Sequence, residues 1–160
     1  SMPRIYTARF VAVAVTVQQD FFEILAATNK PIRVHAWSIS QSTELSDAQE
    51  EQVNIVVVRG AGAVTGGSGG TVPTAAPLNV DDVASGAIVD ANNTTKMAVG
   101  SGTLTELEAH TMNVRVPYLM IYTPETRPYV KGGDRLTIEL RTTPVDSITF
   151  SGTVWFEEMG

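Results

Sequence analysis

The chain has 160 residues, 43% hydrophobic and 18% charged, which bounds it to one folded domain with a substantial core and excludes a disordered, charge-rich chain. A net charge of −6 argues against non-specific attachment to DNA or to an anionic membrane surface. The lack of cysteine removes disulfides, thiolate nucleophiles and zinc–thiolate sites together, and no apolar run reaches transmembrane length.

Ser1-Met2 reads as a cloning remnant. From Arg4 to Val17 apolar residues alternate loosely, predicting one long strand or two strands broken by a bend. Gln18-Gln19-Asp20 reads as a turn, and Phe21–Ala27 as a second strand ended by Asn29-Lys30-Pro31. Ile32, Val34, Ala36 and Ser38 alternate with Arg33, His35, Trp37 and Ile39 in a third strand, which puts His35 and Trp37 on an outward or interfacial face. Gln41–Gln52 holds the one helix candidate, with Ser46 and Gln49 at capping-box spacing. Its acidity and thin apolar face favour an exposed loop with a single helical turn.

Val53–Arg59 carries valine on both faces, so this strand is buried on both sides or lies in a subunit interface. Gly60–Pro77 is small, uncharged and glycine-rich, and predicts a long exposed, mobile loop. Short strands follow at Gly86–Val89, Lys96–Val99, Thr103–Leu107, Thr111–Val116 and Tyr118–Thr123, with Asp81, Asp82 and Asp90 on loops. Thr123–Tyr129, with two prolines, is an ordered loop.

The last stretch is the most regular. After the Gly132-Gly133 turn, Leu136, Ile138 and Leu140 alternate with Thr137, Glu139 and Arg141, predicting one face in the core and one in water. Thr143-Pro144-Val145-Asp146 interrupts the run, and a strand from Ile148 to Glu157 closes what reads as a hairpin. The final strand is long and apolar enough to be central in its sheet, and Gly152 on its apolar side admits a close neighbour. The whole pattern is that of an all-β sandwich, jelly roll or barrel of roughly eight to ten antiparallel strands with almost no helix.

Chemistry is sparse. The glycines of the loop lead into Thr71-Val72-Pro73, without the lysine and helix that a phosphate-binding loop requires. His35 and His110 could pair with Asp81, Asp82 or Glu125 as a metal site or acid–base dyad, but no ligand spacing links them and ordinary structural roles win. Asp81, Asp82, Asp90, Asn92 and Asn93 lack EF-hand spacing, so solvated turns are favoured over calcium. Asn92 and Asn93 each open a glycosylation sequon. Trp37, Trp155, Tyr118, Tyr122 and Tyr129 could form a sugar platform, although aromatics are only 7% of the chain. Phe10–Val17, Val53–Val58 and Tyr118–Tyr122 offer more apolar strand than a small sandwich needs, which points to a subunit interface. No cofactor and no metal is expected, and an enzyme would require a deep pocket with a histidine–carboxylate contact.

Two resemblances add to this reading. Gly-Gly-Asp-Arg-Leu-Thr-Ile-Glu-Leu at 132–140 with Ser-Ile-Thr-Phe-Ser-Gly-Thr-Val-Trp-Phe at 147–156 resembles the last two strands of the C1q/tumour-necrosis-factor-like jelly rolls, which selects a jelly-roll-like β-sandwich among the all-β forms and implies a homotrimer. Pro-Arg-Ile-Tyr-Thr-Ala at 3–8, His-Ala-Trp-Ser-Ile-Ser-Gln-Ser-Thr-Glu at 35–44, the run 90–95, Ile-Tyr-Thr-Pro-Glu-Thr-Arg-Pro at 121–128 and Phe-Glu-Glu-Met at 156–159 resemble small tailed-phage and prophage virion proteins. These imply a virion structural protein, made in the bacterial host cytoplasm and not an enzyme. It would decorate the head by binding the major capsid protein or another virion protein, with no nucleic-acid or membrane partner. The expected contacts are Pro3, Arg4, Ile5 and Tyr6 of an N-terminal arm, Gly66, Gly67, Gly69 and Gly70 of the loop, and Pro124, Arg127 and Tyr129. The rival expectation is a receptor- or glycan-binding head of a phage fibre, which would show a clustered aromatic patch with an acidic neighbour.

Overall fold

A computed structural model describes residues 3–43 and 50–160; the capping pair Ser46 and Gln49 lies outside them. The described chain is all-β, and its sole helical element is a 3-10 turn at Pro124–Thr126. Its strands are β1 (Arg4–Val15), β2 (Gln19–Leu25), β3 (Ile32–Gln41), β4 (Gln52–Ala61), β5 (Ala76–Pro77), β6 (Ile88–Asn93), β7 (Thr103–Asn113), β8 (Tyr118–Ile121), β9 (Tyr129–Val130), β10 (Arg135–Leu140) and β11 (Ile148–Glu158). The first sheet has the order β5-β1-β11-β3-β8, with β9 also paired to β3; the second has the order β6-β2-β10-β4-β7. Every strand pairing is antiparallel. From β1 to β4 successive strands alternate between the sheets, giving a jelly-roll-like sandwich, one of the all-β forms that the strand pattern predicts.

The final strand is central, between β1 and β3. A Cβ on Gly152 would stand 2.7 Å from the Phe10 ring, which is the close approach its place on the apolar face anticipates. The predicted terminal hairpin is corrected: β10 and β11 lie in different sheets, so the Pro144 connection crosses the sandwich. A segment of that length can close a hairpin or change sheet, and the choice rests with the neighbours waiting on each side.

Bulges revise the sequence parity. In β2, Ile138 faces Phe22 and Glu139 faces Asp20, so Phe21 is the extra residue and both phenylalanines enter the core. Phe10 packs on both, at ring-centroid distances of 5.9 and 5.2 Å. Gln19 and Asp20 are thus buried strand residues and not a turn. In β3 the extra residue is His35, which shifts the inward set from Ile32 and Val34 to Trp37 and Ile39; Trp37 is core, not outward. β1 stays one strand through a bulge at Val11 and Ala12, where Ala12 takes a φ of 53°. Two predicted strands merge into β7, with Leu107 as its bulge residue.

Over β2, β10 and β4 the second sheet is buried on both faces, while most of its edge strand β7 is exposed. On its outer side Thr137 and Glu139 of β10 are buried, not in water, and Val56 and Val58 pack on Met97 and Val64. The cover comes from the chain itself. The glycine-rich segment runs antiparallel to residues 91–98, with reciprocal backbone bonds joining Thr65 to Ala98, Ser68 to Thr95 and Thr71 to Ala91 at 2.8–3.0 Å. The segment has an exposed outer side, as predicted, but it is a strap tied to the sheet and not a mobile loop. Its glycines serve close approach: a Cβ on Gly70 would overlap the Ala91 carbonyl oxygen. The two-faced valines of β4 are satisfied within one protomer and need no subunit interface. Gly70→Ala is expected to destabilise the fold by roughly 1–3 kcal/mol, read as a lower urea midpoint.

Candidate functional site

Under the strap lies a layer of buried acids. Arg135 reaches Glu23 at 2.6 Å, and the other Glu23 oxygen accepts the Gly67 amide at 2.8 Å. Lys96 and Arg141 hold Glu139 at 2.8 and 2.9 Å. Burial raises the Glu139 pKa, but the bonds from Arg141 and Lys96 outweigh it and leave the carboxyl below its ordinary value. Asp20 accepts the Met97 amide at 2.8 Å and, among the described residues, forms no ion pair, although Lys96 is near enough to act on its charge. Burial above all, with Glu139 and Glu23 nearby, pushes it up to about 7. Asp90 is in β6 and not on a loop, and it accepts from Asn93 at 2.9 Å. Asn92 and Asn93 are buried, so neither sequon is presented to solvent.

Among the described residues nothing comparable covers the first sheet's outer face. Register aligns Thr7, Trp155, Ala36 and Ile121 in one row across β1, β11, β3 and β8. Ile5 extends it towards β5, where its carbonyl accepts the Leu78 amide at 2.9 Å. Leu119 and Ile121, on the edge strand, are 57% and 67% exposed, and Leu78 is 59% exposed. Together these side chains line an open groove of about 360 Å³.

A second concavity of about 520 Å³ opens where the edge strands β7 and β8 leave the sandwich unclosed. The β7 bulge sets Glu108 opposite Val57 and His110 opposite Ile55, so both polar side chains share the core-facing side. His110 Nδ1 lies 2.6 Å from the Tyr118 hydroxyl and its Nε2 lies 2.7 Å from Glu108. Tyr122 donates to Glu108 at 2.9 Å and accepts from Trp37 at 2.9 Å. Burial first, with Glu108 adding to it, raises the Tyr118 pKa. Tyr122 is raised too, burial again leading. His35 meets Glu157 at 3.1 Å. The histidine partners are thus Glu108 and Glu157, and not Asp81, Asp82 or Glu125, the pairings weighed and set aside on the sequence. Among the described residues no group of three or more histidine, aspartate or glutamate side chains is placed to hold a metal.

The predicted contact residues divide between faces. Ile5 and Arg127 line the apolar groove, and Arg127 and Tyr129 also line the cleft. Pro3 and Arg4 border a hollow beside Glu157 and Glu158, with Arg4 donating to the Gly160 carbonyl at 3.0 Å. Arg4, Ile5 and Tyr6 do not form a free arm, since Arg4–Val15 is a paired strand, and Tyr6 is fully buried against Phe156. Gly66, Gly67, Gly69 and Gly70 lie over the opposite sheet, in the strap. Pro124 is exposed in the 3-10 turn. Sequence reasoning had Leu119 and Ile121 inside the apolar run Tyr118–Tyr122 that points to an interface, and Trp155 among the possible sugar-platform aromatics, but it missed Leu78 as a groove residue and Glu108 and Arg59 as cleft residues.

The chain matches no protein-family model and no curated protein. Structural comparison aligns 99% of it with 42% of a chain in the structure of infectious bursal disease virus Gt strain, at 14% identity and a TM-score of 0.19. It likewise aligns 99% with 40% of a chain in infectious bursal virus derived T=1 particles, at 13% identity and a TM-score of 0.19. The chain spans about two-fifths of those chains, and at that score the likeness carries no argument.

Asp20 has a measurable consequence. With its folded pKa raised from 3.8 to about 7, the folded state keeps a proton that the unfolded chain releases. Its contribution to stability is full below the unfolded value and is lost as pH rises through about 7. Asp20→Asn keeps an acceptor for Met97 and removes the titration. Urea unfolding at about pH 5 and about pH 8 should show the wild type gaining on the variant at the lower pH, by on the order of 2–4 kcal/mol at most.

Proposed function

We propose that this chain is a virion structural protein: a jelly-roll subunit that self-associates and decorates a tailed-phage head. One observation carries the self-association. Over β2, β10 and β4 the second sheet's outer face is covered by the strap, whereas among the described residues nothing covers the first sheet's row of Ile5, Trp155, Ala36 and Ile121 beside Leu78 and Leu119. An apolar sheet face left open in an otherwise covered sandwich is what a second copy would bury. The resemblance to C1q-like jelly rolls makes the assembly a trimer. The resemblance to phage virion proteins makes the head surface the partner, where binding energy would be added to the assembled shell alone.

Light scattering on the size-exclusion peak tests the first step. A mass near three times 17.1 kDa, unchanged on dilution, is expected for the wild type. Ile121→Asp, at an exposed position of small folding cost, is expected to elute as a 17.1 kDa monomer. A wild-type monomer overturns self-association. Co-sedimentation with heads stripped of the protein then tests decoration, with saturable binding expected and none overturning it.

A further inference from the structure

The β7–β8 cleft is distinct from the open apolar groove, with which it shares Tyr122 and Arg127, and its charge is opposite to that of the chain. Arg59 and Arg127 both line it. Arg59 pairs with Leu136 of the core, so strand parity aims it between the sheets, one step beyond Val57. Among the described residues neither guanidinium has an ion pair or a hydrogen bond, and the Arg127 Nε is buried without a partner. The other arginines with acids at hand take them: Arg135 takes Glu23, and Arg141 takes Glu139 and Glu106. The one acid lining the cleft, Glu108, is already held by His110 and Tyr122. Two arginines facing one engaged carboxylate make the cleft locally cationic in a chain of net charge −6.

The remaining lining shows what else the ligand carries. Tyr129 is 43% exposed, with Arg33 held 5.4 Å from its ring centroid. Leu107, Met120 and Pro128 add apolar wall, while His110 and Tyr122 both bond the same Glu108 oxygen and leave the other to accept from a ligand hydroxyl. Unpaired guanidiniums suit a carboxylate, and an aromatic ring beside a carboxylate oxygen suits a polyhydroxylated ring. A volume of about 520 Å³ holds one or two sugar units. We propose that this cleft binds an acidic monosaccharide unit, with its carboxylate on Arg59 and Arg127 and its ring against Tyr129. One chain supplies the whole site, so it does not depend on self-association.

The test titrates the isotope-labelled full-length protein with glucuronate, glucose and acetate, following amide and arginine side-chain resonances. Glucuronate is expected to shift cleft residues saturably at millimolar concentration, with glucose and acetate each weaker by about tenfold or more. Arg59→Gln and Arg127→Gln are each expected to weaken glucuronate by a similar factor while the remaining spectrum stays dispersed. Equal responses to all three compounds, no response to glucuronate, or unchanged affinity in both variants overturns the proposal. The three-compound comparison on the wild type decides the matter even if a variant fails to fold.

Discussion

The structure depends on how Glu23 is held. Its carboxylate is 1% exposed, and it is gripped by a guanidinium from β10 on one oxygen and by a strap amide on the other. A carboxylate buried this deeply is tolerated only when both oxygens are satisfied: removing Arg135 would leave an uncompensated charge, and removing the Gly67 amide an unsatisfied oxygen. Satisfying it requires the strap to lie flat on the second sheet, which in turn requires residues without Cβ where the strap passes the sheet. Glu139, held by Lys96 and Arg141, repeats the arrangement one step along β10. The apolar contribution of the cover is small, since Met97 and Val64 meet only Val56 and Val58. Charge and backbone hydrogen bonds, more than area, attach this layer.

Four bulges decide what each sheet presents. At Phe21 a bulge doubles the aromatic content delivered to the core by one strand. At His35 it turns Trp37 inward, where its indole donates to Tyr122. At Leu107 it places Glu108 and His110 on the side where the sandwich opens. The bulge at Val11 and Ala12 keeps β1 in one piece while sending Val11 into solvent, 72% exposed. Each bulge exchanges regular ladder bonds for a change of side-chain phase. The groove and the cleft are both products of such changes.

The two outer faces therefore differ in kind. One is closed by its own chain through ionic and backbone bonds, and it offers solvent a strap of small, uncharged residues. The other ends at a short edge strand whose apolar side chains stand open. The open face is the one proposed for self-association, and the cationic cleft lies around the corner from it, sharing Arg127 and Tyr122 with the groove.

By itself the sequence determined the class of fold, the positions of most strands, the central place of the last one, and the need for cover on both sides of Val53–Val58. Period-two alternation and apolar runs report burial directly, because they depend only on neighbours along one strand. It also predicted the close approach at Gly152. Tertiary structure alone decided which sheet each strand joined, because a connection such as 141–147 is compatible with a hairpin or a crossing. It alone decided whether the glycines meant mobility or contact, since a missing Cβ permits both. And it alone made the polar pairs: Glu23 with Arg135 and His35 with Glu157 are more than a hundred positions apart. Such partners meet because the sheets bring them side by side, and nothing local in the chain records it.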